Sequence, residues 1–132
     1  MKNDDIKKLL NNTVKEKRVL HSYMFLGSKF SAKLELAIEF AKEALCLEEN
    51  VPCNNCKSCL EMENNNHPDF LMIDLEDGEN TIKIEQIRKL QEEVIKKPIV
   101  SEKKVFIINN SDKMTVGAQN CLLKTLEEPP QY

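Results

Sequence analysis

Four of the five cysteines in this chain lie close together, between positions 46 and 59. Cys53, Cys56 and Cys59 are each separated by two residues, and Cys46 lies seven positions before Cys53. A Cys-x-x-Cys turn brings two sulfurs to one metal ion at about 2.3 Å, and four thiolates close the tetrahedral shell of a structural zinc site. The proline and asparagines among them suit the tight turns that this spacing requires. We therefore expect these four cysteines to bind zinc.

Two other chemistries remain open for the same cysteine pattern. Iron–sulfur clusters also use repeated Cys-x-x-Cys spacing, and a Cys-x-x-Cys pair can act as a redox dithiol. Ordinary core cysteines are disfavoured because the surrounding loop is polar. Cys121 lies instead in an apolar helical stretch and is expected to be a small buried hydrophobe. His67 is expected to have a structural role, because four thiols already complete a metal site.

A second stretch has the frame of a phosphate-binding loop but lacks part of its chemistry. Residues 27–34 read Gly-Ser-Lys-Phe-Ser-Ala-Lys-Leu, against the pattern G-x-x-x-x-G-K-S/T. Gly27 and Lys33 are retained. Ala32 replaces the second glycine, which disfavours a positive backbone φ and a close phosphate approach. Leu34 replaces the hydroxyl that would hold magnesium, so we expect no useful binding of Mg-ATP.

The residues after the third predicted strand test the same idea independently. In ATPases with this loop that strand ends in acidic residues that hold the metal and activate water. Here Asn109 and Asn110 follow the strand Val-Phe-Ile-Ile. Neutral amides neither act as a general base nor neutralise magnesium. Together the two degenerate motifs predict that the chain does not hydrolyse ATP.

Alternating elements must position these residues. Apolar residues at helical spacing predict helices, and short apolar runs bounded by turn residues predict buried strands. The expected helices are residues 4–17, 31–45, a short one ending near 64, 83–96 and 115–127, and the expected strands are residues 23–26, 70–74 and 105–108. This order predicts an α/β fold with a parallel sheet flanked by helices.

Composition and charge exclude several classes. The formal net charge is −3, with lysine and glutamate intermixed, which disfavours tight nucleic-acid binding by this piece alone. No apolar run is long enough to span a bilayer, and the N-terminus lacks the features of a secretory signal. The expected location is cytoplasmic, where thiols stay reduced and disulfides are rare.

The motifs together resemble bacterial clamp-loader subunits of DNA polymerase III, over nearly the whole chain. The resemblance rests on four segments: residues 21–27 (His-Ser-Tyr-Met-Phe-Leu-Gly), the four-cysteine module, residues 67–70 (His-Pro-Asp-Phe), and residues 120–130 (Asn-Cys-Leu-Leu-Lys-Thr-Leu-Glu-Glu-Pro-Pro). Two subunit families carry such a module, the gamma/tau ATPase and delta-prime. Ala32, Leu34, Asn109 and Asn110, together with residues 80–88, make the chain look more like delta-prime.

The resemblance implies a fold, a role and partners. The fold would be an AAA+ P-loop NTPase-like domain over residues 1–132, which is truncated before the later strands of such domains. A zinc module at 46–59 would be inserted in it. The role would be that of a non-hydrolysing subunit that helps to load the sliding clamp onto primed DNA. The partners would be the gamma/tau and delta subunits, with the clamp and DNA met through the complex.

Three alternatives stay open: a gamma/tau-type ATPase subunit, an active P-loop enzyme with an unusual loop, and a stand-alone zinc-binding interaction module. The resemblance also implies a further strand beyond residue 132, between strands 23–26 and 105–108. If the chain ends at 132, exposed strand edges would recruit a second copy, so an oligomer of the fragment is expected.

Overall fold

The computed structural model describes residues 3–26 and 32–128 of the chain. Five α-helices and two β-strands are assigned in these ranges, with one short 3-10 turn at Ser111–Lys113. The helices are α1 (Asn3–Lys15), α2 (Lys33–Leu45), α3 (Lys57–Glu63), α4 (Ile84–Val94) and α5 (Val116–Glu127), and the strands are β1 (Phe70–Ile73) and β2 (Val105–Ile108). The described residues form two compact units, one within residues 1–70 and 98–105 and the other within residues 71–97 and 106–132.

The first unit contains α1, α2 and α3. Helix α2 buries Leu36, Phe40, Ala41 and Leu45, which recur at helical spacing along one face. Helix α1 packs against α2. The side-chain amide of Asn11 in α1 donates a hydrogen bond to the Val51 carbonyl at 2.8 Å, which fixes the loop that leads into the cysteines.

The second unit has its own apolar core. Helices α4 and α5 pack together, and the buried side chains are Ile73, Ile82, Ile87, Leu90 and Ala118. The Thr115 hydroxyl accepts the Ala118 N–H at 3.1 Å and so caps the start of α5. Ile82 also pairs with Met114 in an isolated parallel bridge, which holds the entries to the two helices side by side.

The two strands pair in parallel, as expected from the alternating pattern. The Val105 N–H donates to the Asp69 carbonyl at 2.9 Å, and the Asn109 N–H donates to the Ile73 carbonyl at 2.8 Å. Both partners advance by four residues in the same direction, which defines a parallel ladder. The expected helices and the strands at 70–74 and 105–108 are confirmed, with ends that differ by a few residues.

The predicted strand at residues 23–26 is wrong. The segment has no strand assignment, and Met24 and Leu26 are 80% and 85% exposed. The alternate residues pack by their rings against a helix instead: Tyr23 and Phe25 lie 5.0 and 6.4 Å from the ring centroid of Phe40 in α2. A strand requires a hydrogen-bonded neighbour. The sheet assigned in the described residues has only two strands, 70–73 and 105–108.

Membrane insertion finds no support in the described helices. Over residues 3–26 and 32–128, no helix combines the length and the apolar character that crossing a bilayer requires.

A candidate metal centre

The first unit brings the four predicted cysteine ligands together. Cys46 directly follows α2, Cys53 and Cys56 flank a turn, and Cys59 lies in the first turn of α3. Their four Sγ atoms lie within 4.8 Å of one another. The Sγ atoms of Cys46 and Cys56 are 4.0 Å apart, as are those of Cys53 and Cys59. All four thiols are free, because these separations are about twice a disulfide bond length.

These distances fit one tetrahedral ion. Four sulfurs at about 2.3 Å from a central zinc would lie about 3.8 Å from one another. The observed separations of 4.0 Å therefore need only a small contraction to close around a cation. The donor set is all sulfur, which suits a soft or borderline cation such as zinc. The residues fit the expected group, and the set leaves no position for a further catalytic ligand.

Local backbone geometry orients the thiols. Asn54 adopts the left-handed conformation, with φ of 63°, which asparagine tolerates well and which the Cys53-x-x-Cys56 turn requires. The Sγ of Cys53 accepts the N–H groups of Asn55 and Cys56 at 3.4 and 3.2 Å. The Sγ of Cys56 accepts the Cys59 N–H at 3.4 Å and caps α3. These donors stabilise thiolates at fixed positions.

The thiols differ in acidity in a way that calls for a cation. Burial, with the neighbouring Cys56 and Cys46, raises the pKa of Cys59 to about 12. For Cys56 burial acts in the same upward direction, but N–H donors outweigh it and lower the pKa to about 7. Burial also raises the pKa of Cys46. Four thiolates this close repel one another, so a bound cation is what would make all four ionise.

Lys42 is a buried cation beside the cysteine turn, and no local sequence pattern indicates this role. It lies four residues before Cys46 on α2 and is 7% exposed. Its Nζ donates to Asn54 Oδ1 at 2.7 Å and pairs with Glu63 at the end of α3. Burial alone would lower its pKa, but Glu63 reverses this and raises it. Lys42 thus ties α2, the turn and α3 together.

A buried polar group, His67, lies next to α3 and has the structural role expected of it. It is 6% exposed, and its Nε2 lies 2.8 Å from the hydroxyl of Ser58. Its Nδ1 accepts the Asp69 N–H at 3.0 Å. Burial lowers its pKa, which favours the neutral ring. Both ring nitrogens of His67 therefore have partners outside the four-cysteine cluster.

Asp69 is a buried charge in the first unit, and its role was not predicted. The residue is 1% exposed. Its carboxylate accepts three consecutive backbone N–H groups, those of Ile99, Val100 and Ser101, each at 2.7 Å. Burial alone would raise its pKa, but these donors lower it below the ordinary 3.8. The only sequence signal was the His-Pro-Asp string at residues 67–69, which marks an ordered turn.

The degenerate phosphate loop is described only in part. Gly27 lies outside the described residues, whereas Ala32 precedes α2, and Lys33 and Leu34 begin it. Ala32 has an ordinary φ of −84°, so this position does not require glycine here. Beside Lys33 is a groove of about 200 Å³. Its other lining residues are apolar or aromatic: Ile6, Leu10, Tyr23, Met24, Phe25, Leu26 and Leu36.

In the second unit, Asn109 and Asn110 both donate hydrogen bonds to Asp74, a partner that sequence reasoning missed. Nδ2 of Asn109 donates to Asp74 Oδ2 at 2.9 Å, and Nδ2 of Asn110 donates to Asp74 Oδ1 at 2.7 Å. Burial alone would raise the pKa of Asp74, but the two amides and the Leu75 N–H lower it. Asp74 immediately follows β1, at the same edge of the sheet as the asparagines after β2. The predicted acidic-motif positions are therefore donors to a carboxylate.

Cys121 is less buried than predicted. It is half-buried at the edge of the α4–α5 core, and its thiol donates to Gln91 Oε1 at 3.1 Å. Gln91 in turn donates to the Cys121 carbonyl at 2.8 Å and to the Thr125 hydroxyl at 3.0 Å. Cys121 is thus part of a polar link between α4 and α5.

Comparison with known proteins places this arrangement in a family. The family described as "DNA polymerase III, delta subunit" matches residues 2–132. The delta′ subunit of DNA polymerase III from Bacillus subtilis (strain 168) is 44% identical over 125 residues, which cover 94% of this chain and 37% of that protein. The tau/gamma subunit from Haemophilus influenzae is 36% identical over 93% of this chain and 18% of its own length. The tau subunit from Bacillus subtilis is 34% identical over 98% of this chain and 23% of its own length.

The chain spans about a third of the delta′ relative and about a fifth of the tau relatives. The match nevertheless includes nearly every residue present, with the cysteine module and both degenerate motifs inside it. The chain belongs to the DNA polymerase III delta′ clamp-loader subunit family.

Proposed function

We propose that this chain is the N-terminal part of a delta′-type subunit, which serves in clamp loading without hydrolysing ATP itself. The observation that carries the proposal is the 44% identity to a delta′ subunit over 94% of the chain. Its partners would be the gamma/tau and delta subunits of the complex. The sliding clamp and primed DNA would be met through that complex, since the net charge of −3 disfavours tight DNA binding by this piece alone.

Absence of hydrolysis is supported by the chemistry of the two degenerate motifs. Leu34 offers no oxygen to magnesium. Asn109 and Asn110 each use the side-chain amide to hold Asp74, at 2.9 and 2.7 Å. Phosphoryl transfer depends on metal ligands and on a group that positions water. Residues that supply neither leave the domain with a scaffolding role.

The metal is proposed to be one structural zinc ion held by Cys46, Cys53, Cys56 and Cys59. A polynuclear iron–sulfur cluster would spread four sulfurs farther apart than the 4.8 Å within which they lie. The ion would join the end of α2, the Cys53–Cys56 turn and α3. The ion would thus stabilise the ordered structure of residues 46–63.

A gamma/tau-type ATPase is the second candidate, favoured by identities of 36% and 34% to such subunits. The two functions differ in one measurable property, which is ATP turnover. The full-length protein is to be titrated with Mg-ATP by calorimetry and assayed for phosphate release, alone and after mixing with gamma/tau and delta subunits.

The proposal expects no phosphate release from the protein alone, no micromolar Mg-ATP binding, and co-elution with gamma/tau and delta in gel filtration. Turnover by the isolated protein would favour the ATPase subunit. Failure to enter a complex with either subunit would favour a stand-alone zinc-binding module.

A further inference from the structure

Ser101 joins the two parts of the cysteine module that come from different elements. Its hydroxyl lies 2.7 Å from the carbonyl of Leu45, the residue before Cys46. The same hydroxyl lies 3.1 Å from that of Ser58, the residue before Cys59. Ser101 itself is 42 residues beyond Cys59 in the chain. One side chain thus touches the backbone neighbours of two separate metal ligands.

The direction of each hydrogen bond follows from the groups present. The Asp69 N–H donates to His67 Nδ1, so in the neutral ring Nε2 carries the proton. Nε2–H then donates to Ser58 Oγ, at 2.8 Å. The Ser101 hydroxyl donates to the Leu45 carbonyl at 2.7 Å and is also directed at Ser58 Oγ, at 3.1 Å. His67, Ser58 and Ser101 are therefore linked in one hydrogen-bonded series that ends at the Leu45 carbonyl.

This hydrogen-bonded series is buried and anchored at both ends. Ser58 is fully buried, and His67 and Asp69 are 6% and 1% exposed. The Asp69 carboxylate accepts the Ser101 N–H at 2.7 Å, which fixes the backbone of the residue that bridges the module. Leaving a buried hydroxyl without a hydrogen-bond partner costs free energy, so these side chains are held in the observed arrangement.

We propose that Ser101 is a positioning residue for the metal site, and that its hydroxyl, in series with Ser58 and His67, holds Cys46 and Cys59 at the separation a tetrahedral ion requires. This inference rests on the proposed four-cysteine site. It adds a residue remote in sequence to a site otherwise contained in residues 46–59. Partners behind the ligands of metal sites typically change affinity by about 10- to 100-fold when removed.

The test compares Ser101→Ala with Ser101→Thr in the full-length protein. Zinc affinity is measured by competition with a chromophoric chelator, and cobalt(II) is used as a probe whose absorption bands report tetrahedral geometry. Ser101→Ala is expected to bind zinc about tenfold more weakly, with altered cobalt bands. Ser101→Thr keeps the hydroxyl and is expected to restore both. Ser111→Ala, at an exposed serine in the second unit, is the matched control.

A second variant covers the case in which Ser101→Ala does not fold. Ser58→Ala interrupts the same hydrogen-bonded series between His67 and Ser101. The double variant is expected to lose no more zinc affinity than either single variant, because each substitution alone already interrupts the series. Wild-type affinity and cobalt bands in Ser101→Ala or Ser58→Ala would overturn the inference while leaving the metal site intact. Failure of the wild-type protein to bind zinc or cobalt would overturn the site itself.

Discussion

The Asp74 carboxylate accepts a hydrogen bond from the side-chain amide of Asn110 at 2.7 Å, across 36 residues of sequence. With Asn109 at 2.9 Å on its other oxygen, the carboxylate is held between two amides at the end of the parallel strands. An acidic residue at either position would place a second negative charge against Asp74. The two amides therefore complement the charge of Asp74.

Restoring acidic residues should not restore catalysis. Asn109→Asp with Asn110→Asp is expected to leave phosphate release at background and to lower the free energy of unfolding at pH 7 by about 2 kcal/mol, since two donors are lost and like charges meet. Urea denaturation at pH 7 and pH 4 measures this, and the deficit should shrink at the lower pH as carboxylates protonate. Asn120→Asp, at an exposed site in the same unit, is the control. An unchanged stability would contradict the prediction.

Removing one cysteine ligand should disorder the module and spare the second unit. Cys56→Ser is expected to lose stoichiometric zinc and to speed amide exchange in residues 46–63. Protection at Ile87, Leu90 and Ala118 should remain, because these residues form a core within their own unit. Metal analysis and hydrogen exchange by mass spectrometry report the two effects. Cys121→Ser provides the control, since it should keep full zinc content; equal metal loss in both variants would argue against the assigned ligands.

Asp69 should make stability depend on acidity. Its folded pKa lies below the ordinary value of 3.8, so its contribution is complete above that value and disappears as the pH falls through the lower folded pKa. Asp69→Asn is expected to reduce the free energy of unfolding at pH 7 by about 3 kcal/mol, through weaker acceptance of three backbone donors. The difference from the wild type should narrow below about pH 4. Denaturant melts across pH test this against Asp77→Asn, an exposed aspartate; a gap that stays constant with pH would refute it.

Lys42 should protect the thiols more than it stabilises the fold. Lys42→Ala removes the bond to Asn54 and the pair with Glu63, and because Glu63 is largely exposed the cost is expected to be only about 1 kcal/mol. The freed turn should expose its sulfurs, so modification of the cysteines by a thiol reagent should accelerate. Lys57→Ala serves for comparison, since Lys57 makes only a 4.0 Å contact with Glu61 at the surface. Similar modification rates in the two variants would show that Lys42 does not hold the turn.

The features that the sequence predicts are those determined by near neighbours. Periodic apolar residues identify the helices, and the two-residue spacing of Cys53, Cys56 and Cys59 identifies the four-cysteine cluster, because both patterns act over a few positions. The strand expected at residues 23–26 fails for the opposite reason. Apolar residues favour a strand, but a strand also requires a hydrogen-bonded neighbouring strand. Tyr23 and Phe25 pack on Phe40 instead.

Polar partners far apart in the chain were beyond sequence reasoning. Asp69 and Ser101 are separated by 32 residues, and Asp74 and Asn109 by 35. Nothing local distinguishes a serine whose hydroxyl contacts Leu45 and Ser58 from one that faces water. The His-Pro-Asp string at 67–69 indicated an ordered turn, but its acceptors and donors depend on where the segment 98–105 lies in the folded unit.

Asp69 also sets how many residues this stretch of chain can contain. Its carboxylate takes the N–H groups of residues 99–101, and its carbonyl takes the N–H of Val105. Three residues, 102–104, must therefore span the distance between the two ends of one amino acid. An insertion or deletion there would break either the hydrogen bonds to the Asp69 carboxylate or the strand register, and a shift of one residue would turn the side chains of β2 to the opposite face of the sheet. Tags and fused segments belong instead at the turn of residues 76–80, where every residue is exposed.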